Sequence, residues 1–302
     1  MLGYTRVLET HEEHAVLKGG TAYLVWVSLG NRALRRIVLS FIATVVKRFF
    51  VDQFVFRLKL GLRSRGANIE VPALKTIEHQ LDSLVPIRYE TVEVYLGFIQ
   101  LWISSLSYLR RRLGPAFDAD IIDFLVGLRR CYLDASSVYG RGLTTTRRPE
   151  RAPSPRFAFI YAVDPHLFCV PSLHVLVVCY TYKRLEALLR ARGDLERFSL
   201  ELDAVRAKAL AITESILYVR QHSVNCIPTS LAMLGVIEPS YDESESKRFL
   251  SELFVDEEAM HSLDRARIVD YMTSLYERIA RSGPDACYDA IADFIAAYME
   301  IA

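Results

Sequence analysis

Several familiar signatures are missing from this 302-residue chain, and each absence narrows what it can be. Uncharged runs such as 94–109 and 165–182 stop at 16–18 residues, whereas a spanning helix wants about 20 predominantly apolar ones. Buried core helices are expected instead of membrane spans. Only five cysteines occur (Cys131, Cys169, Cys179, Cys226 and Cys287), odd in number and widely spaced. That pattern argues against a disulfide framework and for reduced thiols filling core space in a cytoplasmic setting. The first twenty residues carry acids and histidines where a secretory signal needs a basic start and an apolar run, so export by that route is not expected. There is no zinc-finger spacing and no basic zipper, which sets nucleic acid aside as a partner. There is no Gly-x-Gly-x-x-Gly and no phosphate-binding loop to cradle a nucleotide. Two-residue apolar alternation bounded by turn signals is scarce, and no internal repeat or low-complexity tract appears.

What is present is helical. Apolar positions recur at three- and four-residue spacing in 33–60, 92–113, 119–138, 173–191, 200–221, 247–254, 262–281 and 286–301, which predicts an all-α helical bundle. The hydrophobic share of 51% and the charged share of 24% suit a folded globule with an ample core. The formal charge of +1 conceals an asymmetry: residues 238–302 hold 15 Asp/Glu against 6 Lys/Arg, leaving +10 on residues 1–237. Two differently solvated surfaces would explain this; so would a main body that handles an anion and a tail added to it. Residues 238–246, polar and acidic and opened by Pro239, mark the boundary, giving 1–237 as the main domain and 238–302 as an acidic helical C-terminal extension. A second loop, 140–156, contains three prolines, two glycines and five arginines against one glutamate, and cannot continue a helix on either side.

Directly after this basic loop, the mostly apolar run 157–182 contains only one Asp and two His, and within it stands Cys169-Val170-Pro171-Ser172-Leu173-His174-Val175. Ordinary structural roles would be a serine capping a helix start and a histidine filling the core. Likewise His222, at the end of an amphipathic pattern in 214–228, could be a histidine favoured by the helix dipole. Chemistry enters if the two histidines and the arginines converge. Arg141, six residues, Arg148-Pro149; Pro171-Ser172-Leu173-His174; and Ser215, six residues, His222 occur in that order. These three pieces resemble the three-part signature of the type 2 phosphatidic acid phosphatase superfamily, which also contains bacterial acid phosphatases and vanadium haloperoxidases. The upstream stretch 79–103 is similar to the Leu-Asp, Ile-Pro and apolar-helix run of its lipid-phosphatase members, so the resemblance covers about residues 79–237.

The resemblance implies a metal- and cofactor-independent phosphatase or phosphotransferase acting on a phosphomonoester or lipid phosphate through a phosphohistidine. His222 would attack phosphorus, His174 would protonate the leaving oxygen, Arg141 and Arg148 would clamp the phosphate, and Ser172 with the amides of the following helix start would add donors. The partner is then a phosphorylated small molecule or lipid, and the chain is expected in the cytoplasm, free or in peripheral contact with a membrane. A haloperoxidase would use the same pocket for vanadate. Three departures matter. Arg141 stands where the family usually has Lys, which keeps the charge. Ile216 replaces an arginine phosphate ligand, and Cys226 replaces the Asp that orients the nucleophilic histidine. Losing such a carboxylate costs about 10⁴ in a serine-protease triad. Asn225 or Glu214 could substitute for the carboxylate, and Arg220 for the guanidinium. The alternative function is therefore a phosphatase-like binding or scaffold protein that keeps the fold without the reaction.

Two weaker patterns complete the reading. His11 and His14 are spaced as a helical metal pair but lack further ligands, so a solvated helix is expected and no metal site. Asp118, Asp120 and Asp123 resemble one aspartate-rich magnesium motif of prenyl-transfer enzymes, but no second motif exists, and acids at a helix start after Gly114-Pro115 have a simpler cause.

Overall fold

The computed structural model describes residues 16–17, 20–255 and 260–300; His11 and His14 lie outside them. The structure is mostly helical, with 73% helix and 3% strand. In chain order the helices of eight residues or more are α1 (Thr21–Gly30), α2 (Arg32–Val45), α3 (Asp52–Arg63), then, after a short α4 (Val92–Leu96), α5 (Phe98–Leu113), α6 (Asp118–Tyr139), α7 (Pro155–Val163), α8 (Leu173–Arg192), α9 (Ser199–Tyr218), α10 (Cys226–Ile237), α11 (Glu243–Ser251), α12 (Ser262–Ala280) and α13 (Cys287–Ala296). A π-helical turn, Val46–Val51, joins α2 to α3 into one rod. The three- and four-residue spacing thus marks real helices. It did not reveal α7, short and started by Pro155 at its first position, or α1 and α10, which are apolar on every side and therefore have no stripe.

α8 is the axis of the fold. Every residue from Leu173 to Lys183 is buried, because α5, α6, α9 and α10 pack around it. A helix surrounded in this way needs no polar face until it emerges, and the charges begin only at Lys183 and Arg184. Its exit is closed by Gly193 at φ 74°, in the left-handed region. α6 and α8 approach closely at Gly127. The Tyr180 hydroxyl donates to the Phe124 carbonyl at 2.9 Å, a fit permitted by the missing side chain at Gly127.

The structure differs from sequence expectation in two places. Loop 140–156 contains a strand, β2 (Leu143–Thr145), which pairs in parallel with β1 (Leu74–Thr76), Leu74 opposite Leu143. Three-residue strands are too short to show alternation. Residues 238–302, expected as an appended extension, instead share the main core: Ile268, Met272, Leu275, Ile279, Ile291 and Ile295 are buried in the same apolar cluster as α8. α12 and α13 lie against α10, and the segment is tied down by polar contacts. The Tyr271 hydroxyl donates to Asn225 Oδ1 at 2.6 Å, and Asn225 Nδ2 donates to the Tyr298 hydroxyl at 2.8 Å. Among the described residues, Glu238 is the one buried acid of this segment, paired with Arg184 at 3.3 Å; the others are exposed or half-buried, and the inward faces are apolar.

No single helix among the described residues is long and apolar enough to cross a membrane; one bent pair, Tyr89–Leu96 with Phe98–Tyr139, passes on length and composition alone.

A methyl group at Gly127 would overlap the Tyr180 hydroxyl and lie 2.7 Å from its Cζ. Gly127→Ala should therefore lower stability by about 1–3 kcal/mol despite Ala being the better helix former. Chemical denaturation of the two proteins checks this, and an unchanged or raised midpoint would contradict the packing described.

Candidate active site

The site forms where the start of α8 meets the turn after α9. The approach to α8, residues 164–171, is irregular backbone held by β2. Thr144 Oγ1 accepts from the amides of Cys169 (3.1 Å) and Val170 (2.8 Å), and the Thr144 amide donates to the Leu167 carbonyl at 3.0 Å. The Tyr139 hydroxyl, at the end of α6, donates to the Pro171 carbonyl at 2.6 Å. The small parallel pair is thus what fixes this segment.

Ser172 takes the position preceding α8, but its hydroxyl caps nothing. It faces His222, with Oγ to Nε2 at 3.5 Å. The capping role is replaced by a cross-tie: the Ser172 amide donates to Ser230 Oγ at 2.8 Å, and Ser230 Oγ returns to the Ser172 carbonyl at 3.1 Å. The Ser172 amide is therefore not available to an anion as expected from the helix start; the amides that open α8 after it have no intrahelical acceptor.

His222 reaches the same point from the other side. α9 ends in a tight turn in which the amides of Gln221 and His222 both donate to the Ile216 carbonyl, at 3.1 and 3.2 Å, with Arg220 at φ 55°. A left-handed non-glycine residue needs outside support, and Arg220 has it: its guanidinium bonds the Asp82 and Val85 carbonyls, the latter at 2.8 Å. Asp82 in turn accepts from the amides of His79 and Val224, both at 2.8 Å. The upstream stretch 79–103 is therefore a brace for the His222 turn, and it also supplies the wall of the site.

The result brings His174 and His222 together, ring centroids 5.5 Å apart and inclined at 68°. His174 is buried, stacked on Tyr95 at 4.4 Å and flanked by Phe98 at 4.2 Å. Arg148 belongs to the same place. Its guanidinium lies 4.8 Å above the Tyr161 ring and is held by Asp164, Nη1 to the carbonyl at 2.9 Å and Nη2 to Oδ2 at 2.8 Å.

A third imidazole, His166, went unrecognised in the sequence. It is buried, sits at φ 62°, and lies 6.5 Å from His222 between ring centroids. Asp164 Oδ1 accepts its amide at 2.9 Å, Thr146 Oγ1 meets Nε2 at 2.8 Å, and Cys169 Sγ is 3.6 Å away. The available signal was composition: His166 and His174 are the only imidazoles in 157–182, and Asp164 its only carboxylate.

Other expectations about individual residues are corrected. Arg141 is not at the site: it is half exposed and paired with Asp289 of α13 on the surface, because β2 carries the chain inward only after it. Arg220 does not replace the missing guanidinium, since its own is committed to the brace. Asn225 does not orient His222, its amide being shared by the Ile77 carbonyl, Tyr298 and Tyr271. Glu214 accepts from the Phe254 amide at 2.7 Å. Ile216 is fully buried core, and Cys226 Sγ accepts from the Ser223 amide at 3.4 Å. His222 Nδ1 consequently has no hydrogen-bond partner among the described residues. Asp118, Asp120 and Asp123 are committed to Arg110, Arg192 and Arg184, and no group of three metal-ligating side chains occurs among the described residues.

All three imidazoles are held neutral. Burial drives His222 down to about 3, with the Cys169 backbone carbonyl opposing and Arg148 lowering it further. Burial and then His222 push His174 well below its ordinary value; burial, then Arg148 and His222, do the same to His166. One guanidinium, one carboxylate and three neutral rings make a site of zero net charge.

No protein-family model, curated protein or solved structure matches the chain.

Depressed histidines make the fold acid-sensitive. The unfolded chain protonates these rings near pH 6.5 and the native chain does not, so their contribution to stability is complete above about 6.5 and is lost as pH falls below it, with a slope of up to ~1.4 kcal/mol per pH unit for each ring. Melting temperatures measured from pH 7.5 to 4.5 should fall steadily, and His166→Gln should flatten the decline; equal slopes in both proteins would show that His166 titrates freely.

Proposed function

We propose that the chain is a metal-independent phosphoester hydrolase or phosphotransferase that works through a phosphohistidine, and that its fold is of the phosphatidic acid phosphatase type. The observation that carries this is the convergence of His174, His222 and Ser172 beside Arg148, from segments 48 residues apart in the chain. His222 Nε2 attacks phosphorus while the bond to the leaving oxygen breaks, and His174 delivers its proton to that oxygen. A water then gives its proton back to His174 and displaces the P–N bond, releasing phosphate and free His222. Arg148, Ser172 and the first amides of α8 carry the charge on the non-bridging oxygens. His166 is a positioning residue: it keeps Thr146, Asp164 and Cys169 in place behind His222.

Arg148 must exchange part of its bonding with Asp164 for the incoming anion. Asp164 is thus both its support and its competitor. The substrate is a phosphorylated small molecule or lipid, and the dianion raises the affinity of His174 for a proton as it enters, so binding is accompanied by proton uptake while His222 Nε2 stays unprotonated for attack.

A second reading has its own support. Cys226 leaves the nucleophilic ring without a carboxylate, and Arg141 and Ile216 add no phosphate ligand. A chain so depleted would bind an oxyanion without turning it over.

Turnover of an aryl phosphate separates the two. His222→Ala should lose at least about 10³ in rate and Arg148→Ala about 10²–10³, whereas Arg141→Ala, on the surface, should stay within about threefold of wild type. Background turnover in wild type and His222→Ala alike would overturn the enzymatic reading, and vanadate binding that persists there would establish the binding one. Asp164→Asn removes the competing charge while sparing the bond to the His166 amide. It should tighten inorganic phosphate by about tenfold, a modest share of the Coulomb interaction at this range; calorimetric titration gives the answer, and weaker binding would mean that Asp164 acts mainly as support.

A further inference from the structure

We propose that the outer face of the helical rod formed by α2, the π turn and α3, with α1 beside it, is a docking surface for an anionic lipid bilayer. Leu39, Ile42, Val46, Phe50, Phe54 and Leu58 are all exposed, between 39% and 64%. They follow one another at steps of three or four residues, so they form one line along the rod, roughly 30 Å long at helical rise. Single exposed apolar residues are ordinary, but a continuous line is not. α1 adds Val25, Trp26 and Leu29, of which Trp26 is 70% exposed; Arg35 joins the two helices through a bond to the Leu29 carbonyl at 3.1 Å.

These residues are not needed for folding, which relies on the opposite side of the rod. There Leu34, Phe41 and Thr44 are buried, Phe49 and Phe56 pack edge-on to Phe168, and Gln53 accepts from the Leu167 amide at 3.1 Å. The rod thus ties its inner face to the segment that carries His166 and Cys169 and leaves its apolar outer face without a partner.

Charge decides the occupant. Residues 21–69 contain nine Lys/Arg and one Asp, and that Asp52 is paired with Arg48 at 3.5 Å. Arg35, Arg36, Lys47 and Arg57 are exposed along the stripe. An apolar line bordered by cations is the pattern that lies in the interface of an anionic membrane, the rings and aliphatic groups entering below the headgroups and the cations meeting their phosphates. The same face of a second copy would be repelled by its own charge, and nucleic acid would gain nothing from the leucine and phenylalanine line. The docking stands whatever chemistry the histidines perform.

Flotation of the full chain with vesicles tests this. Vesicles of phosphatidylcholine with one-third phosphatidylserine should capture it at least about tenfold better than phosphatidylcholine alone, and high salt should weaken the capture. Trp26 emission should move to the blue on mixing, Trp102 being already buried at 7% exposure. Arg35→Gln/Arg36→Gln/Arg57→Gln should weaken binding by about 100-fold, at roughly fivefold per charge, and Leu39→Glu/Ile42→Glu/Phe54→Glu should abolish it, both keeping the wild-type circular dichroism. Should the second variant fail to fold, the charge variant and the Trp26 shift decide alone. No capture by anionic vesicles, an unmoved Trp26 emission, or variants that bind as wild type does would overturn the proposal. So would a concentration-dependent doubling of mass, lost in the charge variant, without vesicle binding: the occupant would then be the acidic side of another copy.

Discussion

A helix enclosed on all sides leaves its first turn no freedom, and that constraint governs the rest of the molecule. α8 is packed by four neighbours from Leu173 onward, so packing alone fixes the depth of His174, one residue inside it. Everything else at the site is arranged around that point. Ser230 locks the entry residue to α10, Thr144 and Tyr139 lock the approach, and Asp82 with Arg220 brings the turn after α9 to meet it. Each of these is a backbone-directed hydrogen bond from a buried or, at Asp82 and Arg220, half-buried side chain, and where the partner left behind is buried its loss costs about 1–3 kcal/mol. The site is therefore precise because the scaffold beneath it is over-determined.

The consequence of this enclosure is electrostatic. A desolvated imidazole resists protonation, and three of them within a few ångströms resist it together. The one guanidinium among them is matched by Asp164, so the site holds no net charge to destabilise the fold. The left-handed backbone at His166 fits the same picture: a strained residue persists where its surroundings hold it from several sides, here Thr146, Asp164 and Cys169.

The helices were legible because their inward faces repeat at three and four residues, and the three-part spacing was legible because it needs only residue types in order. His174, Ser172 and His222 do meet. Arg141 does not join them, and nothing in a loop of five arginines distinguishes the one that turns inward; Arg148 is selected by Asp164, sixteen residues on, through a contact that exists only after folding. Asn225 looked free to orient His222 until Tyr271 and Tyr298 were placed beside it. The acidic tail misled for a related reason. Composition averages over all faces of a helix, so the outward glutamates and aspartates of 238–302 hid the inward isoleucines and leucines that carry it into the core. Tyr95 and Phe98 carry no chemical signature at all, yet they set how His174 lies.

Neutral rings in a desolvated site have a chemical consequence. A general acid must carry a proton, and His174 by itself would not hold one at neutral pH. Under the proposed phosphoryl-transfer reading, an entering phosphate dianion reverses the balance: Arg148 meets only the share of the new negative charge for which it leaves Asp164, and proton uptake by the desolvated His174 meets part of the rest. On that reading the acid is generated by the substrate that needs it. On the same reading, a monoanion such as a carboxylate brings half the charge and would recruit protons less well. A preference for a dianion would then follow from desolvation, without an orienting carboxylate behind His222, whose Nδ1 has no hydrogen-bond partner among the described residues.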